Sequence, residues 1–251
     1  MRFYQRHQLT ILLLVAACCQ LCHAAEIERL ALVSAIGDTM SVVAYRPGIG
    51  SQLDQNTRQI VALPDSTFDD TAIEAAKAAV KRLPAFSAMS IVVPSVDAAS
   101  SKSTTSAGRL VPSPELQSIL RDSGATHLLL LTKHRASSLL KTSSGSTGTG
   151  HIEGLGFYID RVKRLRRSDT GESGTGFLAP FAYFRVSLVD LASLEILKDE
   201  VVLASTTLSA ARLKEGFDPW EILTAEEKVK LLQQLIKSEV SRVVPNLMSA
   251  K

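Results

Sequence analysis

Ser138 and Lys141 stand three apart in Ser138-Leu139-Leu140-Lys141, the spacing at which a lysine can take the proton from a nucleophilic serine. That chemistry needs the serine at a helix N-terminus in a rigid cleft. Here it falls where a strand passes into a Ser/Thr/Gly-rich run, 137–150, and no S-x-N or K-T-G partner follows, so a chance match is the better reading. Asp169-Thr170-Gly171 has the lettering of an aspartic-protease triplet, but its flanks, Arg166-Arg167-Ser168 and Glu172-Ser173, are polar where an active-site loop would follow an apolar strand. It reads as a turn. His127, His134 and His151 lack the spacing of a metal site, and His127 and His134 fall on opposite faces of a continuous strand. Gly145, Gly148, Gly150, Gly154 and Gly156 make neither a G-x-G-x-x-G turn nor a phosphate loop with its G-K-[ST]. No cofactor or metal is expected.

The strongest local charge asymmetry is Arg161, Lys163, Arg164, Arg166 and Arg167. Such a run can meet anionic lipid headgroups, an acidic protein partner or a phosphate-bearing envelope polymer. The bland alternative is a solvated hairpin tip whose charges keep a sheet edge soluble.

These residues must be positioned by elements that the hydrophobic pattern outlines. Arg29–Ala35 and Met40–Arg46 read as two strands around the turn Ile36–Thr39, and Arg58–Leu63 as a third. A helix over 66–83 has caps at its start, Lys77, Lys81 and Arg82 towards its end and Pro84 beyond. Its buried face would be Ile73, Ala76, Val80 and Leu83. Met89–Val93 follows as a strand, then a flexible loop over 98–108. A second helix, 113–123, is capped by Ser113 and stopped by Gly124, ahead of the apolar run Thr126–Leu131, expected as a central strand. Strands alternating with helices predict a partly parallel sheet in this half.

The second half changes character. The runs 137–150 and 168–176 read as mobile loops, and Leu155–Val162 as a strand. Phe181–Leu191 and Ile196–Ser205 read as an antiparallel pair. A last helix, 224–244, has a capping box in Thr224 and Glu227, a stripe of Val229, Leu232, Ile236, Val240 and Val243, and Pro245 to close it. The expectation is one α/β domain, 26–251: a mixed sheet with an antiparallel C-terminal half, covered by about three helices.

With 251 residues, 45% of them hydrophobic, the chain can bury one substantial core. Residues 1–24 stand apart. Arg2 and Arg6 precede the short apolar run Leu9–Ala17, and Cys22-His23-Ala24 forms a small-residue exit, which is the order of a secretory signal peptide. The run is too short to span a bilayer comfortably, and no later segment approaches a span. Without it, 26 Lys+Arg face 25 Asp+Glu, so nothing suggests a bulk nucleic-acid binder. All three cysteines, Cys18, Cys19 and Cys22, lie inside the leader. Val15-Ala16-Ala17-Cys18 has the form of a lipobox, which would make Cys18 a lipidated first residue. Cleavage after Ala24 would leave a cysteine-free chain instead, with no thiols stranded in an oxidising compartment. Both routes export the protein to the periplasm, the first with a lipid anchor.

The segment Tyr183–Leu197, in which an apolar strand ends in Asp190, a short turn follows and a second strand begins, resembles a pattern of bacterial envelope proteins. These are the lipoprotein activators of penicillin-binding proteins, the curli-secretion lipoprotein and the amino-terminal domain of the Tol-system propeller protein. Ser123-Gly124-Ala125-Thr126-His127-Leu128 is similar to their helix-Gly-Ala entry into an apolar strand. The resemblance spans Ala88 to Leu208 and departs at the turn, where Ser193-Leu194 stands for the usual Thr-Gly. The paired amphipathic hairpins of a pore-forming relative are missing. Those relatives recruit or assemble other proteins, so the resemblance implies a non-enzymatic, exported accessory of cell-wall or secretion machinery with a protein partner. The alternative is an envelope hydrolase using Ser138 and Lys141. Intact mass of the protein recovered from the cell envelope separates the two leader readings. A chain beginning at Ala25 is expected, and a diacylated Cys18 would overturn that.

Overall fold

In the computed structural model, the described residues are 28–37, 39–48, 54–63, 66–83, 86–91, 108–143, 145–166, 171–209 and 218–249. Residues 1–27 with Cys18, most of 98–108, Arg167 and the Asp169-Thr170 pair lie outside them. The order is β1 (Glu28–Ala35), β2 (Thr39–Ala44), β3 (Thr57–Ala62), α1 (Thr67–Val80), β4 (Phe86–Ser90), α2 (Pro114–Ser123) and β5 (His127–Lys133). Then come β6 (Arg135–Ser137), β7 (Leu140–Thr142), β8 (Gly145–Thr147), β9 (His151–Arg166), β10 (Ser173–Asp190), β11 (Ile196–Ser205), β12 (Leu208–Ser209) and α3 (Ala225–Ser249). The result is the expected α/β domain: a mixed sheet of ten strands, ordered β3-β2-β9-β10-β5-β1-β4, with β11 and β12 on β10, β6 on β9, and β7–β8 as a separate pair.

The sheet is built along β10, whose eighteen residues are mostly buried and apolar. One of its edges is shared by two strands placed end to end. Its first part, Ser173–Tyr183, pairs antiparallel with β9. Its second part, Phe184–Asp190, pairs antiparallel with β5. Its other edge takes β11 and β12. Parallel pairing then carries the arrangement outwards, β1 beside β5 and β2 beside β9. Consequently β1 and β2 do not pair with each other, as two strands around a tight turn would. They continue one course past the junction, and β4 and β3 take the outer edges.

The junction has its own chemistry. Gly37 (φ 76°) and Gly154 (φ 67°) both take left-handed backbone there, and side-chain atoms of Lys133 lie just over 3 Å from where either would carry a Cβ. Only glycine meets both demands without strain. Lys133 Nζ donates to Thr39 Oγ1 at 3.1 Å. The turn between β1 and β2 is held from α1: Asp69 accepts from Ser34 Oγ at 2.5 Å, Ile36 N at 3.0 Å and Gly37 N at 3.2 Å. Burial still pushes the Asp69 carboxyl above the ordinary range, against those donors and nearby Lys133.

Strand alternation gives the sheet two apolar faces. One carries Leu30, Leu32, Leu129, Leu131, Phe184 and Val186 and is covered by α1 and α3. The buried positions of α1 are Phe68, Thr71, Ala72, Ala75, Ala76, Ala79 and Val80, so the predicted stripe is widened by alanines that let the helix lie close, and Ile73 sits at its margin. The opposite face is covered in two separate patches. Helix α2, with Leu116 and Leu120, lies over Ala31, Val33, Leu128, Leu130 and Val189. The excursion 134–150 covers Val43, Tyr158, Phe177, Phe181 and Tyr183.

Several caps are read correctly from sequence. Ser113 Oγ accepts from Leu116 N, and Gly124 ends α2 in left-handed backbone. Glu227 N donates to Thr224 Oγ1 at 3.3 Å while Thr224 N donates to Glu227 Oε2 at 2.8 Å, completing the capping box. Several boundaries differ. Strands β9 and β10 extend well beyond the expected 155–162 and 181–191, so 173–176 is strand rather than loop, and 137–150, expected as a loop, carries β7 and β8. The fourth strand is Phe86–Ser90 rather than 89–93, because its parallel register with β1 starts at Glu28. Pro245 does not close the last helix, which runs on to Ser249. A proline inside a helix costs about 3 kcal/mol, but beyond it Leu247 is buried and Met248 packs against the core in part, and full burial of such a side chain contributes about 1.5–3 kcal/mol. No helix among the described residues is long and apolar enough to cross a membrane.

The turn between β10 and β11 is closed by Asp190, whose Oδ1 accepts from Ala192 N at 2.7 Å and Ser193 N at 2.9 Å. The Ser193 amide, with that of Ala192 and nearby His127, holds this carboxyl below the ordinary range. Leu194 stands at φ 59°, where the resembling families place glycine. Left-handed backbone costs a residue with a side chain about 1–2 kcal/mol, and glycine returns part of that gain through its freer unfolded chain. Leu194→Gly should therefore raise stability by about 0.5–1 kcal/mol and Tm by about 1–4 °C. A lowered Tm in thermal melts would contradict the strain.

Candidate functional site

The basic run does not sit on a loop. Arg161, Lys163, Arg164 and Arg166 belong to the second half of β9, paired with Ser173–Thr175 of β10. The neighbour on the other side, β2, pairs with β9 only from Gly156 to Ile159. Beyond that point β9 and β10 continue as a two-stranded ribbon, with the outer edge of β9 unpaired among the described residues. The ribbon begins at a register shift between Thr175 and Phe177. There the buried Asp160 accepts from Val162 N and Lys163 N, both at 2.8 Å, supplying the partners that the ladder has lost. Arg161 is tied down by Asp218 (Nη2 to Oδ2, 2.6 Å), Lys163 Nζ donates to Thr147 Oγ1 at 2.6 Å, and Arg166 Nε donates to the Gly171 carbonyl at 2.9 Å. Val162, 59% exposed, stands between the cations.

Ser138 and Lys141 are not assembled for catalysis. Ser138 is 4% exposed. Its hydroxyl donates to the Thr149 carbonyl at 2.7 Å, a loop-closing bond rather than a nucleophile's contact. Lys141 lies exposed on β7, its amide bonded to Ser205 Oγ at 2.9 Å. The whole 137–150 segment carries β7 and β8 and is tethered from beneath by two buried tyrosines: Leu139 N donates to Tyr183 Oη at 2.9 Å and Thr149 N to Tyr158 Oη at 3.2 Å. Burial raises the pKa of both phenols, keeping them protonated. The histidines stay apart. His127 is at the start of β5, where Thr126 Oγ1 meets its Nδ1 at 3.0 Å, and His134 follows the other end. That is seven residues of near-extended chain, roughly 20 Å. His151 is exposed, its amide bonded to Asp54. Among the described residues no group of three or more His, Cys, Asp or Glu could hold a metal ion.

The structure does form a cleft that the motifs did not reveal. It lies on the α2 face of the sheet, between the patch under α2 and the patch under 134–150, with a cavity volume of about 350 Å³. Leu110, Leu130, Val189 and Ile196 line one part, and Thr132, His134, Arg135, Glu153, Arg185 and Ser187 the other. Arg185 lies directly opposite Thr132 in the ladder, and Ser187 is two residues along the same face. The signal was present in the sequence: polar residues at alternate positions of otherwise apolar strands, Thr132 after the run of leucines and Arg185 and Ser187 within Phe184–Val189. Alternation alone cannot say whether such residues meet solvent, a partner side chain or a cavity.

No protein-family model matches the chain, and no curated protein matches it in sequence. Comparison with solved structures finds bacterial proteins of low similarity. A neuraminyllactose-binding hemagglutinin homolog from Helicobacter pylori shares 10% identity at TM-score 0.42, over 89% of this chain and 84% of that one. A Xanthomonas campestris protein of the DUF330 family shares 7% identity at TM-score 0.40, over 87% and 82%. A hypothetical protein from Chlamydia trachomatis shares 13% identity at TM-score 0.37, over 89% and 99%. Scores this low leave function to be argued from the chain's own residues.

Burial, then the positive charge of Arg185, holds the His134 pKa below its ordinary 6.5, while Glu153 acts in the opposite sense. A base depressed by folding contributes stability that is present above the unfolded pKa and lost as pH falls through the folded one. NMR titration should place His134 below 6.5. Arg185→Gln should move it upward, and an unchanged midpoint would remove Arg185 as a cause.

Proposed function

We propose that this chain is an exported, non-enzymatic protein of the bacterial cell envelope that binds an acidic partner through the basic β9–β10 ribbon, as an accessory of cell-wall or secretion machinery. The observation that carries this reading is the ribbon itself, four cationic side chains on a two-stranded extension whose outer edge no strand pairs among the described residues. Anionic surfaces are attracted by such clustered charge, and an unpaired edge can accept a further strand. The leader supports export. The resemblance of the Tyr183–Leu197 hairpin to envelope recruiting modules supports a partner that is a protein, with anionic lipid or cell-wall polymer as other acidic surfaces of the same compartment. The hydrolase alternative loses its residues, since Ser138 is committed to the Thr149 carbonyl.

The triple variant Lys163→Glu, Arg164→Glu, Arg166→Glu leaves the Arg161–Asp218 ion pair in place. Cross-linking and affinity capture from envelope extracts should recover a partner with the parent protein that is lost with the variant. Its capture should also weaken as salt rises, because exposed charges are screened over about 8–10 Å at physiological ionic strength. Identical partners for both proteins would sink the assignment to the ribbon.

A further inference from the structure

The cleft on the α2 face contains a feature that the ribbon does not explain. Thr132 is 6% exposed and Ser187 is 5% exposed, yet neither hydroxyl makes a hydrogen bond among the described residues, and both line the cavity. Buried hydroxyls are nearly always paired, with protein, water or ligand. Here the two lie diagonally on neighbouring strands, on one face, and both line the same space. Beside them is Arg185, whose Nη1 is engaged by Asp199 on β11 while its Nε and Nη2 make no bond among the described residues. A half-exposed guanidinium with free donors at the mouth, and two donors at the floor, is a convergent set for one planar anion. The remaining wall is aliphatic, from Leu110, Leu130, Val189 and Ile196. A volume of about 350 Å³ is at the small end of ligand sites.

We propose that this cleft is a binding site for a small aliphatic carboxylate, its carboxylate held by Thr132, Ser187 and Arg185 and its short hydrocarbon laid against Leu130, Val189 and Ile196. The hydrocarbon gains from leaving water, and the carboxylate replaces the water that the hydroxyls would otherwise hold. Glu153 in the lining and Asp199 on Arg185 offset part of the positive charge that Lys133, Arg135 and Arg185 bring to the site.

The test is amide NMR of the purified protein titrated with hexanoate, hexanamide and hexylamine. Hexanoate should give saturable shifts confined to residues 130–134 and 185–189, and hexanamide should bind about tenfold more weakly, the cost of losing a charge-assisted bond. Thr132→Val with Ser187→Ala should weaken hexanoate by a similar factor while leaving Tm unchanged or raised, since those hydroxyls bond nothing within the protein. Arg185→Gln should abolish the preference for the carboxylate over the amide. The proposal falls if hexanoate gives no saturable shift at about 10 mM, if the amide or amine binds as well, or if the double variant binds unchanged. It falls also if the double variant loses several degrees of Tm, which would mean the hydroxyls are structural.

Discussion

Strand β10 has two neighbours along a single edge, and the requirement that β5 and β9 meet end to end beside it governs the rest of the architecture. Backbone groups of a buried strand must be paired throughout, so β5 and β9 must abut closely with no unpaired gap. Of the chain between them, 134–150, only β6 stays in the sheet, paired with β9, and the rest is turned onto one face. The next course outwards repeats the problem, and β1 and β2 solve it with three residues instead of seventeen. Gly37, Gly154 and the stem of Lys133 fill the junction, and Asp69 satisfies the amides that the interrupted course leaves without ladder partners.

The two faces of the sheet follow from that expulsion. The α1 and α3 face is closed by two long helices packed over one continuous core. The other face receives a ten-residue helix at one end and the expelled segment at the other. Neither is large enough to meet the other, and the cleft is the space between them. An unpaired buried hydroxyl costs about 1–3 kcal/mol, so Thr132 and Ser187 are an expensive choice for a site that valine and alanine would fill. The junction that shapes the fold also creates the space in which those hydroxyls have a use.

The ribbon arises from the opposite mismatch. Strands β9 and β10 are longer than the neighbours β2 and β12 can accompany, so their ends leave the sheet as a pair. Once outside, side chains on both faces meet solvent, and alternation no longer has to be apolar. The cations are found where this happens. Asp160 marks the transition, buried at the last sheet position and bonded to the first two amides of the ribbon.

Much of this was legible in the sequence because it depends on local chemistry. The caps at Ser113, Thr224 and Gly124, the hairpin at Asp190, the apolar strand after Thr126 and the mixed α/β class all rest on residues within a few positions of one another. Helix α3 outlasts Pro245 because Leu247 finds a distant core, and Leu194 takes a glycine's backbone because the 108–110 segment bonds its carbonyl. Ser138 is a closure bond, not a nucleophile, because Thr149 comes back to it. Whether β1 and β2 pair with each other or continue past a junction was open to sequence, since hydrophobic alternation records which face a residue points to and not which strand lies beside it. Sequence alone settled the helices, the central apolar strands and several caps, but not the short strands β6, β7, β8 and β12 or the long ends of β9 and β10. Only tertiary structure decided that Thr132, Arg185 and Ser187 share a cleft, because that depends on which patches of one face remain uncovered.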